Sequence, residues 1–441
     1  MPSLLLVSAS FAPSRLIGGR RAERLAACLT EAGWQVTVLT THPMYAPPTD
    51  PKLLPPPGVE VVRAQAVMPR AWLRALRTSA ERLRKREQPA RGSGDQPLPP
   101  TAQPRMRRLL DWSLAALEFP DEYAGWRPVA EAAMRGRRFD VVLGTMPPFT
   151  DAVIAGSLAR RMRARLVLDF RDPWTEAIQD APGIDEATCA RHRRMEDALL
   201  TAADLVVGVS PTHCAWLSAR TGTEVILARN GYDPADEVQQ PQVLAARPLH
   251  LVYAGSLAYG RDLRPVFAAM ASLRPRLGAT DLRLTYAGDS GAAVRAWAEA
   301  AQVADAIDDL GEVGVAQARQ LVDSANLCVV RVSEAYGHAI PAKLYDIAAR
   351  RRPVLLVGPA NCDAAQLVRE LALGWACASD DVPGIAAALA AAAAGEWPAA
   401  GDPSRLRVDA SLSPLLDRLA QFGAQCATEQ VRYSRSPLPP R

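Results

Sequence analysis

The stretch Val332-Ser333-Glu334-Ala335-Tyr336-Gly337-His338-Ala339-Ile340-Pro341-Ala342-Lys343-Leu344-Tyr345-Asp346-Ile347-Ala348-Ala349 carries the densest chemistry in the chain. A strand ending near Val332 runs into a flexible loop, and Pro341 suits the first turn of a helix. The N–H groups of such a turn have no intrahelical partners and suit a phosphate. Lys343 and Asp346 are spaced i and i+3, so both fall on one helical face. One can meet a diphosphate while the other accepts hydrogen bonds from ribose hydroxyls; the competing reading is a solvent-facing ion pair. Lys52, Lys85 and Lys343 are the lysines among 51 basic residues, the rest being arginine. A lysine here therefore points to a need for a compact point charge.

Two earlier loops carry weaker signals. Ser8–Arg21 holds Gly18-Gly19 just before a helix, and adjacent glycines let a ligand approach backbone N–H groups; an ordinary loop is the plain alternative. Leu168-Asp169-Phe170-Arg171-Asp172-Pro173-Trp174 takes a strand straight into two acids, an arginine and a tryptophan, a mixture typical of a site wall. A helix cap would be the simpler use of its carboxylates.

Such loops need a scaffold that brings strand ends together. Short apolar runs alternate with helix-length amphipathic stretches, the βαβ pattern of parallel sheets. The expected strands are Leu4–Val7, Gln35–Leu39, Val59–Val62, Asp140–Leu143, Leu166–Phe170 and Leu205–Val209, then Leu249–Tyr253, Leu282–Ala287, Ala306–Leu310, Leu327–Val332 and Pro353–Val357. Expected helices include Arg20–Ala32, Asp151–Arg161, Leu263–Leu273, Ala293–Ala301, Val315–Ser324 and Ala342–Arg350. Two doubly wound modules in tandem follow, over residues 1–232 and 248–400, with 233–247 as linker. A helical segment over 401–427 and a frayed, Pro-rich tail from 428 complete the expected layout. In open sheets of this kind, ligands bind beyond the carboxyl ends of the strands, which selects the three loops above.

Composition bounds the function classes. The 441 residues are 49% hydrophobic and 22% charged, which excludes a largely disordered chain. A net charge of +4 provides no global field for nucleic acid. Seven scattered cysteines without a CxxC pair argue against a disulfide framework or a structural zinc. Met1-Pro2-Ser3 followed by Leu4–Val7 reads as a first strand rather than a signal peptide, and no run approaches the roughly 20 apolar residues of a membrane span. A cytoplasmic location is expected, with peripheral contact at the inner face of the cytoplasmic membrane as an option. That option rests on Arg70–Arg108, where ten Arg and one Lys face three acids and where Trp72, Leu73, Leu76 and Leu83 interleave with the charges. Such a segment can lie in an anionic headgroup region; a solvated insertion with a mobile tip is the alternative.

From Leu4 to about Ala392 the chain resembles the family 4 glycosyltransferases of the GT-B fold, in particular the bacterial surface-polysaccharide members. The matching pieces are Phe11–Arg21, Phe119-Pro120-Asp121 with Gly125-Trp126, Thr145-Met146-Pro147-Pro148, Asp169–Trp174, Asn230-Gly231-Tyr232-Asp233, Tyr253-Ala254-Gly255-Ser256 and Ile340–Asp346. The resemblance implies an α/β GT-B architecture, two Rossmann-like domains with an interdomain cleft. It also implies retaining, metal-independent transfer from a UDP- or GDP-sugar to a saccharide or lipid-linked acceptor, with no other cofactor.

Carried over by residue, Gly18 and Gly19 match the glycine pair near the transferred sugar and acceptor. Gly255 matches the glycine that opens the donor-phosphate loop. Lys343, flanked by Ala342 and Leu344, matches the lysine of the helix start, and Asp346 the acid that binds ribose. Three positions depart from the pattern. His338 replaces the first of two spaced acids, Ser256 stands where an arginine is expected, and Arg351 where relatives place a glycine. Arg261 then becomes the phosphate cation of its loop. Asp172, beside Arg171, is expected to orient the acceptor hydroxyl, and His338 to meet donor hydroxyls or developing charge. Two other classes stay open: a UDP-sugar 2-epimerase of the same fold, and a non-catalytic nucleotide-sugar binder, which the changes at His338 and Ser256 motivate.

Overall fold

A computed structural model describes residues 1–65, 118–179, 184–278, 281–398 and 401–435. The Arg-rich segment Arg70–Arg108 lies outside the described residues, as does the tail beyond 435. The chain divides into two compact units: Met1–Val209 with Cys214–Leu227 and Pro414–Arg441, and Ser210–His213 with Ala228–Ser413.

The strands of unit 1 are β1 (Ser3–Val7), β2 (Gln35–Thr41), β3 (Glu60–Ala64), β4 (Val141–Met146), β5 (Arg165–Phe170), β6 (Leu205–Gly208) and β7 (Val225–Leu227). They form one parallel sheet in the order β3-β2-β1-β4-β5-β6-β7. Central strands such as β1 and β4 are buried on both faces, as near-continuous Leu and Val runs require. The helices are α1 (Ile17–Glu31), α2 (Arg127–Ala133), α3 (Thr150–Met162), α4 (Thr175–Gln179) and α5 (Glu186–Ala202), with most of α6 (Pro211–Ser218). Strand order reverses between β1 and β4, and there the loops 8–16 and 147–149 lead into α1 and α3.

Unit 2 repeats the plan. Its strands are β8 (Leu249–Ala254), β9 (Leu282–Ala287), β10 (Ile307–Asp309), β11 (Leu327–Arg331), β12 (Val354–Gly358) and β13 (Gly374–Ala378), parallel in the order β10-β9-β8-β11-β12-β13. The helices are α7 (Arg264–Leu277), α8 (Gly291–Ala300), α9 (Val315–Ser324), α10 (Ala342–Ala349), α11 (Asp363–Glu370) and α12 (Val382–Ala393). Order reverses between β8 and β11, so the loops 255–263 and 332–341 meet at that point.

All the strands expected from sequence are present; β7 and β13 are additional. Both are short edge strands of half-buried residues, and β13 begins at Gly374, so neither shows a buried apolar run. The segment 233–247 is pinned to unit 2 rather than free: Asn326 Nδ2 donates to the Ala245 carbonyl at 2.8 Å and Arg352 to that of Gln242 at 2.9 Å. Arg351 has φ +52°, a left-handed conformation that a glycine adopts without cost, and its guanidinium pairs with Glu237 at 2.9 Å. The C-terminal helix α13 spans Val408–Arg435, so the tail expected to fray from 428 is helical to Arg435. From Pro414 onward this helix belongs to unit 1, where Leu415, Leu419 and Phe422 are buried and Gly423 lies against Pro2 and Trp34.

Candidate functional site

In unit 1 the reversal point is built around two arginines, Arg21 buried and Arg171 half-buried. Arg21 of α1 makes a bidentate pair with Asp169, whose carboxylate is fully buried at the end of β5 (Nη2 to Oδ1 2.8 Å, Nε to Oδ2 2.9 Å). The Thr145 hydroxyl adds a third bond at 2.7 Å. Burial pushes the Asp169 carboxyl up, but Arg21 and Thr145 outweigh it and hold the group below the usual carboxylate range. The pair therefore clamps α1 onto the strand ends.

Arg171 is consumed by the backbone. Its guanidinium donates to the carbonyls of Gly18, Pro147 and Met146, and burial draws it below its ordinary pKa. A Cβ on Gly18 would sit 3.2 Å from that guanidinium, and one on Gly19 3.2 Å from the Ser10 carbonyl oxygen. Both glycines lie in the first turn of α1, which has no side-chain cap. They let the helix start seat against loop 8–16 and Arg171. Behind them Asp151, fully buried, accepts from the Ala9 N–H at 2.9 Å. Burial raises its carboxyl well above the ordinary value, with the charge of Asp121 adding to this and the Ala9 N–H opposing it.

The motif from Asp169 to Trp174 is accordingly divided in use. Trp174 is buried, stacks on Phe149 at 4.6 Å between centroids and donates its Nε1–H to His192 at 3.0 Å. Asp172 alone of this group is exposed. The structure brings Gly18 against Arg171 and Gly19 against the Ser10 backbone, and leaves Asp172 exposed. Arg21 and Asp151 carry no local sequence signal as site residues, because their partners are more than a hundred residues away in the chain.

In unit 2 the reversal point holds a stranded cation. The Nζ atom of Lys343 is inaccessible to solvent and has no hydrogen-bond partner among the described residues. It sits 3.9 Å above the centroid of the Tyr253 ring, and a Cβ on Gly255 would lie 2.8 Å from it. Gly255 has φ +129°, a backbone that side chains rarely adopt, so its glycine serves both the turn and the lysine. Tyr253 is buried, stacks on Tyr286 at 5.9 Å and donates its hydroxyl to the Ser256 carbonyl at 2.9 Å. Burial lowers the Lys343 pKa to about 7; the nearby positive charge of Arg261 adds to this and Asp289 opposes it.

Arg261 follows on the same loop, its Nε donating to the Ala258 carbonyl at 3.0 Å. Arg331, buried at the end of β11, fixes the loop from below by donating to the Asp262 carbonyl at 2.6 Å and the Val357 carbonyl at 2.7 Å. Ser256 Oγ accepts from the Ala258 N–H at 3.0 Å, a turn-forming bond. Along α10, Leu344 is buried, whereas Ala342 and Asp346 are exposed one turn apart. His338 lies in the preceding loop, 6.0 Å from the Tyr336 ring. The structure thus gathers Gly255, Ser256, Arg261, Lys343 and His338 at one sheet end, with Asp346 on the helix that carries the lysine. Tyr253, Tyr259 and Tyr336 complete the cluster and have no sequence signal beyond being aromatic. Tyr259 is unusual, since a bulky residue at φ +63° costs on the order of 1–3 kcal/mol.

Among the described residues no group of three or more His, Cys, Asp or Glu side chains is placed to hold a metal ion. None of their helices is long and apolar enough to cross a membrane.

Residues 18–224 match the family model of a glycosyl transferase 4-like domain. No curated protein sequence matches the chain. Among solved structures the chain is similar to sucrose-phosphate synthase from Thermosynechococcus elongatus, with 17% identity over 99% of this chain and 100% of that one and a TM-score of 0.57. It is similar to WaaG, a glycosyltransferase involved in lipopolysaccharide biosynthesis, with 16% identity over 92% and 93% and a TM-score of 0.51. It is also similar to Anabaena Alr3699/HepE in complex with UDP-glucose, with 10% identity over 95% and 99% and a TM-score of 0.52. The fold is GT-B, with two Rossmann-like units.

Proposed function

We propose, for a chain whose residues 18–224 belong to the glycosyl transferase 4-like family, that it moves a sugar from a nucleoside-diphosphate sugar to a saccharide or lipid-linked acceptor. The observation that carries this reading is Lys343. A buried ammonium without a partner is costly, and its natural complement is an anion. At a strand-order reversal, with the first turn of α10 and Arg261 beside it, a diphosphate is the anion that fits.

In this reading unit 2 holds the donor. Lys343, Arg261 and the backbone of Gly255 and Ser256 meet the diphosphate, and exposed Asp346 accepts from the ribose hydroxyls. As the bond from the sugar's anomeric carbon to the diphosphate oxygen breaks, the acceptor hydroxyl oxygen bonds that carbon and its proton passes to the departing diphosphate; positive charge develops on the sugar and negative charge on the leaving group. The two cations stabilise the latter, each worth about 2–4 kcal/mol in a preorganised site. We assign His338 to donor hydroxyls or to the developing positive charge, and Asp172 to the acceptor hydroxyl. Arg171 acts by positioning, since its guanidinium is spent on three carbonyls. Retention of configuration and independence from metal are part of the proposal. HepE with UDP-glucose and WaaG lend support to a nucleotide-sugar donor and a glycoconjugate acceptor.

A thermal-shift screen of UDP- and GDP-sugars tests the donor class, because ligand that binds only the folded state raises its apparent stability. We expect a shift with at least one of them, and its loss in Lys343→Ala with the fold intact. An unchanged donor affinity in Lys343→Ala rules out the assignment. Transfer should also survive EDTA; loss on chelation with rescue by Mn²⁺ would remove the metal-free part of the proposal.

A further inference from the structure

Two exposed tyrosines from different loops meet beside the candidate phosphate cation. Tyr259, at the tip of loop 255–263, is 65% exposed, and Tyr336, in the loop after β11, is 41% exposed. Their ring centroids are 5.2 Å apart with planes tilted by 58°. His338 extends the row, 6.0 Å from Tyr336. The Arg261 guanidinium lies 5.5 Å from the Tyr259 centroid. Neither ring is buried in the core. Tyr259 buries little and holds a left-handed backbone, φ +63°, followed by Gly260 at +74°. A strained, exposed aromatic points to a role outside the fold.

We propose that Tyr259 and Tyr336 form the platform for the transferred sugar of the donor, with His338 at its polar edge. This rests on the reading that Arg261 and Lys343 hold the diphosphate. Two geometric facts select the sugar. A planar base is best sandwiched between parallel rings, whereas rings inclined at 58° form a V that suits a puckered ring with C–H groups on its faces. A ring 5.5 Å from the phosphate cation also reaches the group bonded directly to phosphate, and the base lies beyond the ribose. Aromatic faces then take the apolar side of the pyranose, and the imidazole nitrogens of His338 are suited to its hydroxyls.

Titration calorimetry with UDP, GDP, UDP-glucose, UDP-galactose, UDP-N-acetylglucosamine and GDP-mannose tests this. In the wild type, one nucleotide sugar should bind more tightly than its bare diphosphate. Tyr259→Gly and Tyr336→Ala should each weaken that sugar nucleotide about tenfold and leave the bare diphosphate within twofold. Tyr336→Phe should retain the wild-type affinity. Tyr259→Gly removes the left-handed strain, so its melting temperature should equal or exceed the wild type's, which separates the effect from misfolding. Equal weakening of sugar nucleotide and bare diphosphate overturns the platform, as does no change in either. If the wild type binds the diphosphates and the tyrosine variants behave like it, only the platform falls. If the wild type binds none of the six probes, the donor reading falls and the platform with it.

Discussion

Lys343 sits in its pocket at the expense of stability. With a folded-state pKa of about 7 against an ordinary value of 10.5, the folded protein binds fewer protons than the unfolded chain between those limits. Stability contributed by this group therefore rises as pH climbs from about 7 toward 10 and is lowest below 7. Lys343→Met should stabilise the ligand-free protein at pH 7 by about 1–3 kcal/mol, seen as a raised melting temperature, while removing donor binding; a destabilised variant would contradict this. A diphosphate favours the charged lysine, so donor affinity should decline as pH rises above about 7, with proton uptake on binding visible in buffers of different ionisation enthalpy. Gly255→Ala places a methyl 2.8 Å from Nζ on a backbone at φ +129°. The methyl displaces the ammonium and also strains the turn, so donor affinity should drop at least about tenfold, or ~1.4 kcal/mol, with a lowered melting temperature. Much of this site is legible in the order of residues alone. One of three lysines in an arginine-rich chain, placed three residues before an acid on a helix, marks itself. Tyr253 is not legible as the ring beneath Lys343, because nothing local in β8 tells a core tyrosine from one that faces a cation.

Elements in both units are readable where burial is two-sided and obscure where it is not. The runs at Leu4–Val7 and Val141–Leu143 can only be central strands, whereas Val225–Leu227 and Gly374–Ala378 are half-buried edges that look like loop. Helix α9 matches its expected bounds, Val315–Ser324. The mixed charges of Asp169–Trp174 suggest a site wall, whereas much of that motif is internal bracing. An i to i+4 pattern is visible in sequence, but a carboxylate pairing with Arg21 across 148 residues is not. That pair joins β5 to α1, so breaking one side should be costly. Asp169→Asn leaves Arg21 buried without its counter-charge and should destabilise unit 1 by about 3–5 kcal/mol in denaturant titration. The double variant Arg21→Met, Asp169→Asn should lose less than the two singles summed, and simple additivity would show that the pair is not coupled. Because the Asp169 carboxyl is held below its ordinary range, its contribution is present above about pH 4 and lost as pH falls through its folded value.

At the scale of the molecule, the two sheets follow one plan, each reversing its order where the candidate residues gather. Alternating strand and helix patterns make this tandem arrangement readable. The assignment of the last helix is not, since an amphipathic stretch announces that it docks and not where. Leu415, Leu419 and Phe422 bury themselves in unit 1, and Arg418 pairs with Glu224. Leu419→Ala should therefore cost unit 1 about 2–4 kcal/mol and leave nucleotide-sugar binding by unit 2 unchanged; a loss confined to unit 2 would contradict the assignment. This arrangement also has a consequence in time. Translation delivers residues 1–227 first, then the whole of unit 2, and only afterwards the segment that closes the earlier unit. At roughly 5–20 residues per second, unit 1 waits about 10–40 s on the ribosome with the face around Trp34 bare. Unit 2 is then the first to reach its final form although it is second in the chain. Chains truncated after Ser413 should show a protease-resistant unit 2 beside a digestible unit 1, and equal resistance of both would contradict this order.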